Sequence, residues 1–271
     1  MSAPARDDIA SRLIAAYDGA TMLAPISEGD PQFDVPRAYE VLAEIERRRV
    51  AQGWRPVGRK IGFTNVTIWE RYGVHQPMWA HTFAHTVHFA PQAKAALSLA
   101  GFVQPRIEPE VVFKLKAPVT DDAPESLIRA IDWIAPGFEI VQSHFPNWKF
   151  TAADCTAAFG LHGALVVGPP LAIDERNRDA IVAALPTFTL TLSRGAEVID
   201  TGVGANVLGG PMLALAHLVR VLRGQPHAPA LTAGEVITTG TITDAWPVKA
   251  GETWSSDYGA MALPGLTLSF T

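Results

Sequence analysis

Two acids stand two residues apart in Arg106-Ile107-Glu108-Pro109-Glu110-Val111-Val112-Phe113-Lys114-Leu115, a segment whose Val, Val, Phe and Leu have the composition of a short β-strand. Successive strand side chains alternate between faces, so Glu108 and Glu110 share one face while Pro109 points away. Like charges held side by side either keep a proton or draw in a counter-charge. Hard divalent cations such as Mg²⁺, Mn²⁺ and Ca²⁺ prefer carboxylate oxygens and are one remedy. A Glu-x-Glu pair on a solvated strand face is the plain alternative.

Glu139, in Pro136-Gly137-Phe138-Glu139-Ile140-Val141, is an acid inside an otherwise apolar strand. Burying one carboxylate unpaired costs several kcal/mol, so it needs a reason. It is either a third ligand beside Glu108 and Glu110, completing a Mg²⁺ or Mn²⁺ site with water or substrate, or it caps a turn or pairs with an arginine such as Arg106. Lys60 follows Arg59 on a short strand next to Gly62, where it either snorkels to the surface or sits in a cleft as a carboxylate binder or proton carrier. Asp154 either caps a helix or works as a general acid/base.

Other motifs are weaker. Of the histidines His75, His81, His85 and His88, His81 and His85 have the spacing of His-Glu-x-x-His, but Thr82 stands where the catalytic Glu belongs and Cys155 is alone, which disfavours zinc. The run Gly202 to Gly210 lacks the third glycine and the ribose-binding acid of a dinucleotide loop, and no Gly-x-Ser-x-Gly elbow exists for a serine hydrolase.

The elements that would position these residues can be read in order. Asp7 to Asp18 and Pro36 to Gln52 have amphipathic helical spacing, the second introduced by Asp34 as N-cap. From Val57 onward the texture turns to short β-runs punctuated by Gly and Pro, with a short helix from Asn65 to Tyr72 closed by Gly73 and a loop-rich passage carrying the histidines. Strands are expected at 137–143, 164–167, 235–241 and 266–271, and a hairpin joins 187–193 to 197–200. Helices are expected at 174–185 and 211–223. The expectation is an α+β fold with a helical N-terminal subdomain over 1–55 and a β-rich body over 56–271.

Composition narrows the function classes. Hydrophobic residues make up 48% and charged residues 18%, and 22 Lys+Arg against 27 Asp+Glu give a net charge of −5, so the chain is globular and lacks a nucleic-acid footprint. The one basic cluster, Arg47-Arg48-Arg49, reads as the solvated end of a helix. A single cysteine forbids intramolecular disulfides and fits a cytoplasmic protein. Asp7 and Asp8 stand where an export signal needs an apolar core, and the uncharged runs 155–173 and 201–219 are interrupted by Gly and Pro, so no membrane association is expected.

Several of these blocks together resemble a known family. Gly58-Arg59-Lys60-Ile61-Gly62-Phe63-Thr64-Asn65, Tyr72-Gly73-Val74-His75-Gln76-Pro77, Ile107-Glu108-Pro109-Glu110, Gly137-Phe138-Glu139-Ile140-Val141, Ala153-Asp154, Gly202 to Pro211, Thr239-Gly240-Thr241 and Pro247-Val248-Lys249-Ala250-Gly251-Glu252 follow the order seen in the 2-keto-4-pentenoate hydratase / 4-oxalocrotonate decarboxylase family. The resemblance runs from about residue 5 to the end. It implies a mixed β-roll like the C-terminal domain of fumarylacetoacetate hydrolase, in a homo-oligomer. It also implies Mg²⁺ or Mn²⁺ on Glu108, Glu110 and Glu139, and a short 2-oxo acid or its dienol tautomer as substrate, with catalytic roles for Lys60 and Asp154. The chain departs from the family pattern at His75, which replaces an Asp, at Cys155-Thr156-Ala157, which replace Asn-Ala-Ser, and at Pro109.

The expected reaction is hydration of a 2-hydroxy-2,4-dienoate to a 4-hydroxy-2-oxo acid. Decarboxylation of a 2-oxo-3-enedioate is the sibling reading, and acylpyruvate hydrolysis a third, for which His81 or His85 would pair with Glu70. A non-catalytic partner subunit is disfavoured because the acids persist together.

Overall fold

The computed structural model describes the chain apart from residues 1–4, 67, 68, 73, 75 and 227. His75 and the glycine stop at Gly73 thus lie outside the described residues. Three helices lead: α1 (Arg6–Asp18), α2 (Ile26–Gly29) and α3 (Val35–Ala51). Asp34 caps α3 as expected, accepting from the Arg37 amide at 3.0 Å, and α2 sits in what the sequence shows only as a loop.

The body follows as β1 (Pro56–Gly62), α4 (Trp69–Tyr72), β2 (Met78–Phe83), β3 (Val87–Phe89), β4 (Lys94–Leu97), β5 (Arg106–Leu115), α5 (Pro124–Ala130) and β6 (Ile131–Val141). It continues through α6 (Ala152–Ala157), β7 (His162–Val167), β8 (Leu171–Ala172), α7 (Arg178–Ala184), β9 (Thr189–Arg194), β10 (Glu197–Val203) and α8 (Pro211–Arg223). The last strands are β11 (Val236–Thr238), β12 (Trp246–Pro247), β13 (Thr253–Asp257) and β14 (Leu266–Phe270). The passage expected to be loop-rich therefore contains β2 and β3; β2 pairs antiparallel with β1, and this pairing orders the histidine-bearing segment.

Among the described residues, nine strands form one sheet in the order β2-β1-β11-β5-β6-β7-β3, with β12 on β5 and β8 on β6, and five form a second in the order β10-β9-β13-β14-β4. Strand alternation sorts the side chains. Ile107, Val111, Phe113, Phe138 and Ile140 face the main core, where Leu215, Leu218 and Leu222 of α8 and Leu266 and Leu268 of β14 meet them. The opposite face carries Glu108, Glu110 and Glu139 toward one end and Val112, Ala135, Leu165, Val167 and Val236 toward the other. The stretch Gly204–Arg223 is long and apolar enough by composition to cross a membrane. Positive φ at Leu208, Gly209 and Gly210 breaks it, however, and leaves the 13-residue α8 with seven buried residues. At about 20 Å, such a helix is shorter than a bilayer core.

A second cluster joins the leading helices to the body: Ile9, Leu13, Val41 and Ile45 pack on Val141, Phe145, Cys155, Phe159 and Leu161. Arg49 corrects the reading of the basic cluster. Its side chain is 3% exposed and pairs with Asp18, and its guanidinium lies 4.3 Å from the Trp54 ring and 5.9 Å from that of Phe159. The neighbouring Arg47 and Arg48 are the solvated pair, both bonded to Glu44. Arg49 ends the helix facing inward because a planar cation can stack on aromatic faces while bonding a carboxylate. Arg49→Met, which keeps length and removes charge and fork, is expected to cost about 1–3 kcal/mol, read as a lower urea midpoint at an unchanged slope.

Candidate metal and substrate site

The antiparallel register of β5 and β6 brings the acids together: Glu108 pairs with Glu139, and Glu110 with Gly137. One carboxylate oxygen from each of Glu108, Glu110 and Glu139 lies within 4.8 Å of the others, the only such acid/His/Cys cluster among the described residues. The solvated-strand reading of the pair fails, since Glu110 is fully buried and Glu108 half-buried. Glu139 pairs neither with a turn nor with Arg106. Its Oε1 lies 2.8 Å from His162 Nδ1 and its Oε2 3.3 Å from Lys60 Nζ, while the Arg106 guanidinium stacks 4.1 Å from the Trp148 ring.

β1 delivers Lys60 to the same place. The lysine does not snorkel: it is 4% exposed, and its ammonium donates to the Gly160 carbonyl at 3.0 Å. Burial opposes its charge, but Glu139 and then Glu108 outweigh that and lift its pKa above the usual lysine value, so it stays an ammonium. Burial likewise works against an ionised Glu139, yet Lys60 and the His162 hydrogen bond bring its pKa down to about 2. Glu110 goes the other way: burial, with Glu139 and Glu108 nearby, raises it well above the usual carboxylate range. Glu108 is raised to about 7, chiefly by burial, with Lys60 opposing and Glu139 adding.

Gly240 shapes the pocket beside Glu110. Its amide donates to Glu110 Oε2 at 2.6 Å. With φ +95 and a Cβ that would fall 1.8 Å from Thr64 Oγ1, the position admits only glycine. The residues present fit a hard cation. Glu110 Oε1 and Glu139 Oε2 are buried without a hydrogen-bond partner, and the donor set is oxygen only. A cavity of about 180 Å³ opens onto the cluster, lined by Lys60, Glu108, Asn65, Arg106, Trp148, Phe150, Cys155 and Thr241 among others. That is about the size of an engineered cavity that holds benzene.

Asp154, given an acid/base role by resemblance, is brought into the neighbourhood and also caps a helix. It is fully buried and completes a capping box on α6 with Thr151. Its carboxylate accepts from the Ser27 amide at 3.0 Å, the Ser27 hydroxyl at 2.6 Å, and the Thr151 amide and hydroxyl at 2.9 and 2.8 Å. With one hydrogen bond on Oδ1 and three on Oδ2, it clamps α2 to α6. Cys155, next in sequence, does line the cavity, with burial pushing its thiol up to about 12, so it is a neutral wall and no nucleophile. Among the described residues the other histidines do not gather. His81 pairs with Glu46 at 2.9 Å and His85 packs against Trp54 at 4.2 Å; neither lines the cavity or meets Glu70. His162 is the site residue that sequence reading misses. It stands in an apolar, glycine-rich run, and the one available signal is that a histidine inside a buried strand needs a polar partner.

Because a cation must displace the protons held by Glu110 and Glu108, Mn²⁺ affinity is expected to fall as the pH drops, more steeply once it passes below about 7 where Glu108 also takes up its proton, by about tenfold per pH unit for each proton released. Calorimetric titrations at several pH values check this, and an affinity independent of pH counts against it. In the metal-free protein the sign reverses for stability. A carboxyl held above its unfolded value makes the folded state bind more protons, so the Glu108 contribution rises as the pH falls from about 7 toward the ordinary carboxylate range.

Residues 63–262 match the family described as fumarylacetoacetate (FAA) hydrolase, C-terminal. The chain is 32% identical over 243 residues to a 2-hydroxyhexa-2,4-dienoate hydratase of Comamonas testosteroni, covering 89% of each chain. It is 31% identical over 256 residues to a 2-keto-4-pentenoate hydratase of Paraburkholderia xenovorans, covering 93% of this chain and 90% of that one. A 4-oxalocrotonate decarboxylase from Pseudomonas putida G7, solved with magnesium and adipate, superposes with a TM-score of 0.88 at 25% identity over 99% of both chains. With its ordered blocks, its acid cluster and these likenesses, the chain belongs to the fumarylacetoacetate hydrolase family, among the 2-keto-4-pentenoate hydratases and 4-oxalocrotonate decarboxylases.

Proposed function

We propose that the protein is a divalent-metal-dependent hydro-lyase that converts a 2-hydroxy-2,4-dienoate to a 4-hydroxy-2-oxo acid. The observation that carries this reading is the trio Glu108, Glu110 and Glu139 with Lys60, of which Glu108 and Lys60 line a cavity sized for a five- or six-carbon acid. The three glutamates would hold Mg²⁺ or Mn²⁺, which when bound supplies a Lewis acid for negative charge on the substrate's 2-oxygen.

The chain's own residues do the rest. Lys60, pinned between Glu139 and the Gly160 carbonyl, offers a fixed ammonium to the substrate carboxylate or to a proton in transit. Converting 2-hydroxypenta-2,4-dienoate requires loss of the enol proton, a proton at C5, the hydroxyl of a water at C4 and a proton at C3, which together add one water. Trp148, Phe150 and Leu161 in the cavity wall hold the hydrocarbon tail and limit access of bulk water. Asp154 is assigned to holding α2 against α6 in place of proton transfer, on the strength of its four hydrogen bonds. The same reading takes the curled sheet as a β-roll preceded by a helical part, in a cytoplasmic homo-oligomer.

Decarboxylation of a 2-oxo-3-enedioate is the second reading, supported by the likeness to the decarboxylase and by Arg106 in the cavity wall, a cation suited to a second carboxylate. Incubation with Mg²⁺ and 2-hydroxypenta-2,4-dienoate is expected to consume the dienol absorbance, with Glu108→Ala slowing this at least 100-fold, in the range set by losing one group that stabilises developing charge (about 10²–10³). A dienol decay unchanged by enzyme, or by that substitution, sinks the hydratase reading. Release of CO₂ from a 2-oxo-3-enedioate would move the assignment to the second.

A further inference from the structure

His162 takes no part in the reaction outlined above, yet it is buried at 3% exposure and held at both ring nitrogens. Nδ1 lies 2.8 Å from Glu139 Oε1. A carboxylate oxygen only accepts, so Nδ1 carries the hydrogen. Nε2 lies 2.9 Å from Thr86 Oγ1, and the same oxygen accepts from the Phe83 amide at 3.3 Å, which anchors the ring to the turn between β2 and β3.

The backbone is built to aim this ring. β6 and β7 pair regularly up to Ile140 opposite Ala164, but Val141 then pairs with His162, so Gly163 is looped out as a bulge. In a regular ladder with Gly163 opposite Val141, His162 would point to the other side of the sheet from Leu165 and Glu139; looping Gly163 out returns it to theirs. A side chain at Gly163 would meet the Phe102 ring at 2.6 Å and the Ile140 carbonyl at 2.8 Å, so the bulge requires glycine there.

We propose that His162 is a positioning residue for the cation site: it fixes Glu139 by one oxygen, leaving Oε2, which makes no hydrogen bond and faces the Lys60 ammonium at 3.3 Å, as the oxygen offered to the cation. The hydrogen bond costs Glu139 its second oxygen as a ligand and in return fixes the carboxylate plane before any ion arrives, the usual effect of a polar neighbour behind a metal ligand. Thr86 extends that support to the β2–β3 turn. The inference rests on the three glutamates being the metal site and is independent of which reaction follows.

The test is Mn²⁺ binding to the purified full chain, measured by calorimetry with circular dichroism as the folding control. His162→Phe, which keeps ring bulk without a donor, is expected to weaken Mn²⁺ binding by about 10- to 100-fold. His162→Asn, whose amide nitrogen stands where Nδ1 stood, is expected to recover most of that loss, a rescue that a packing role alone does not produce. Should His162→Phe fail to fold, Thr86→Val carries the test through the far side of the ring, with an expected loss of about three- to tenfold, at the lower edge of such effects. A folded His162→Phe or Thr86→Val that binds Mn²⁺ as the unsubstituted protein does overturns this inference and leaves the metal site standing. An unsubstituted protein that binds no Mn²⁺ overturns both.

Discussion

Three carboxylates crowded around one buried ammonium are the constraint that the surrounding structure answers. Glu108 and Glu139 are direct cross-strand partners, Glu110 follows on the same face, and Lys60 reaches in from β1. Like charges opposite each other in a sheet are unfavourable by themselves. The arrangement survives because the neighbours divide the load unequally: Lys60 and His162 keep Glu139 ionised, whereas Glu110 and Glu108 are pushed toward their neutral forms. A divalent cation would relieve all three at once, so folding leaves the site loaded toward cation binding.

Holding such a cluster takes elements from distant parts of the chain. The Gly160 carbonyl that receives Lys60 sits just after α6, and α6 is held by Asp154 to Ser27 in α2. Arg49 at the end of α3 stacks on Phe159 in the same segment. The helical N-terminal region therefore serves the site without lining it, acting through the position of one backbone carbonyl. On the opposite wall, Gly240 brings its amide to Glu110 through a backbone conformation and a close approach that a Cβ would forbid.

Much of the scaffold was legible because it rests on local rules. The cap at Asp34, the break before Pro211, the hairpin of β9 and β10 and the shared face of Glu108 and Glu110 follow from spacing and turn chemistry. The strands of the histidine passage were not legible, since β2 is defined by pairing with β1 and β3 by pairing with β7. Arg49 read as a solvated helix end because an aromatic box built from Tyr17, Trp54 and Phe159 has no signature in the residues next to it. Asp154 was open between cap and acid, and the contact with Ser27 that it makes beside its cap lies 127 residues away in the chain.

The sequence by itself determined which chemistry was available: acids at the right alternation on one strand, a third acid in an apolar strand, a lysine beside a glycine, and the ordered blocks that place the chain in its family. Those properties are local or are carried by residue type. Only the tertiary structure decided which of these groups meet and in what state. The β5–β6 register sets Glu108 against Glu139, and a one-residue bulge at Gly163 brings His162 to Glu139. Strand pairing and burial are long-range, and a carboxylate's charge depends on what surrounds it. The same four side chains, three Glu and one Lys, could have been an inert solvated face or a cation site until the sheet closed around them.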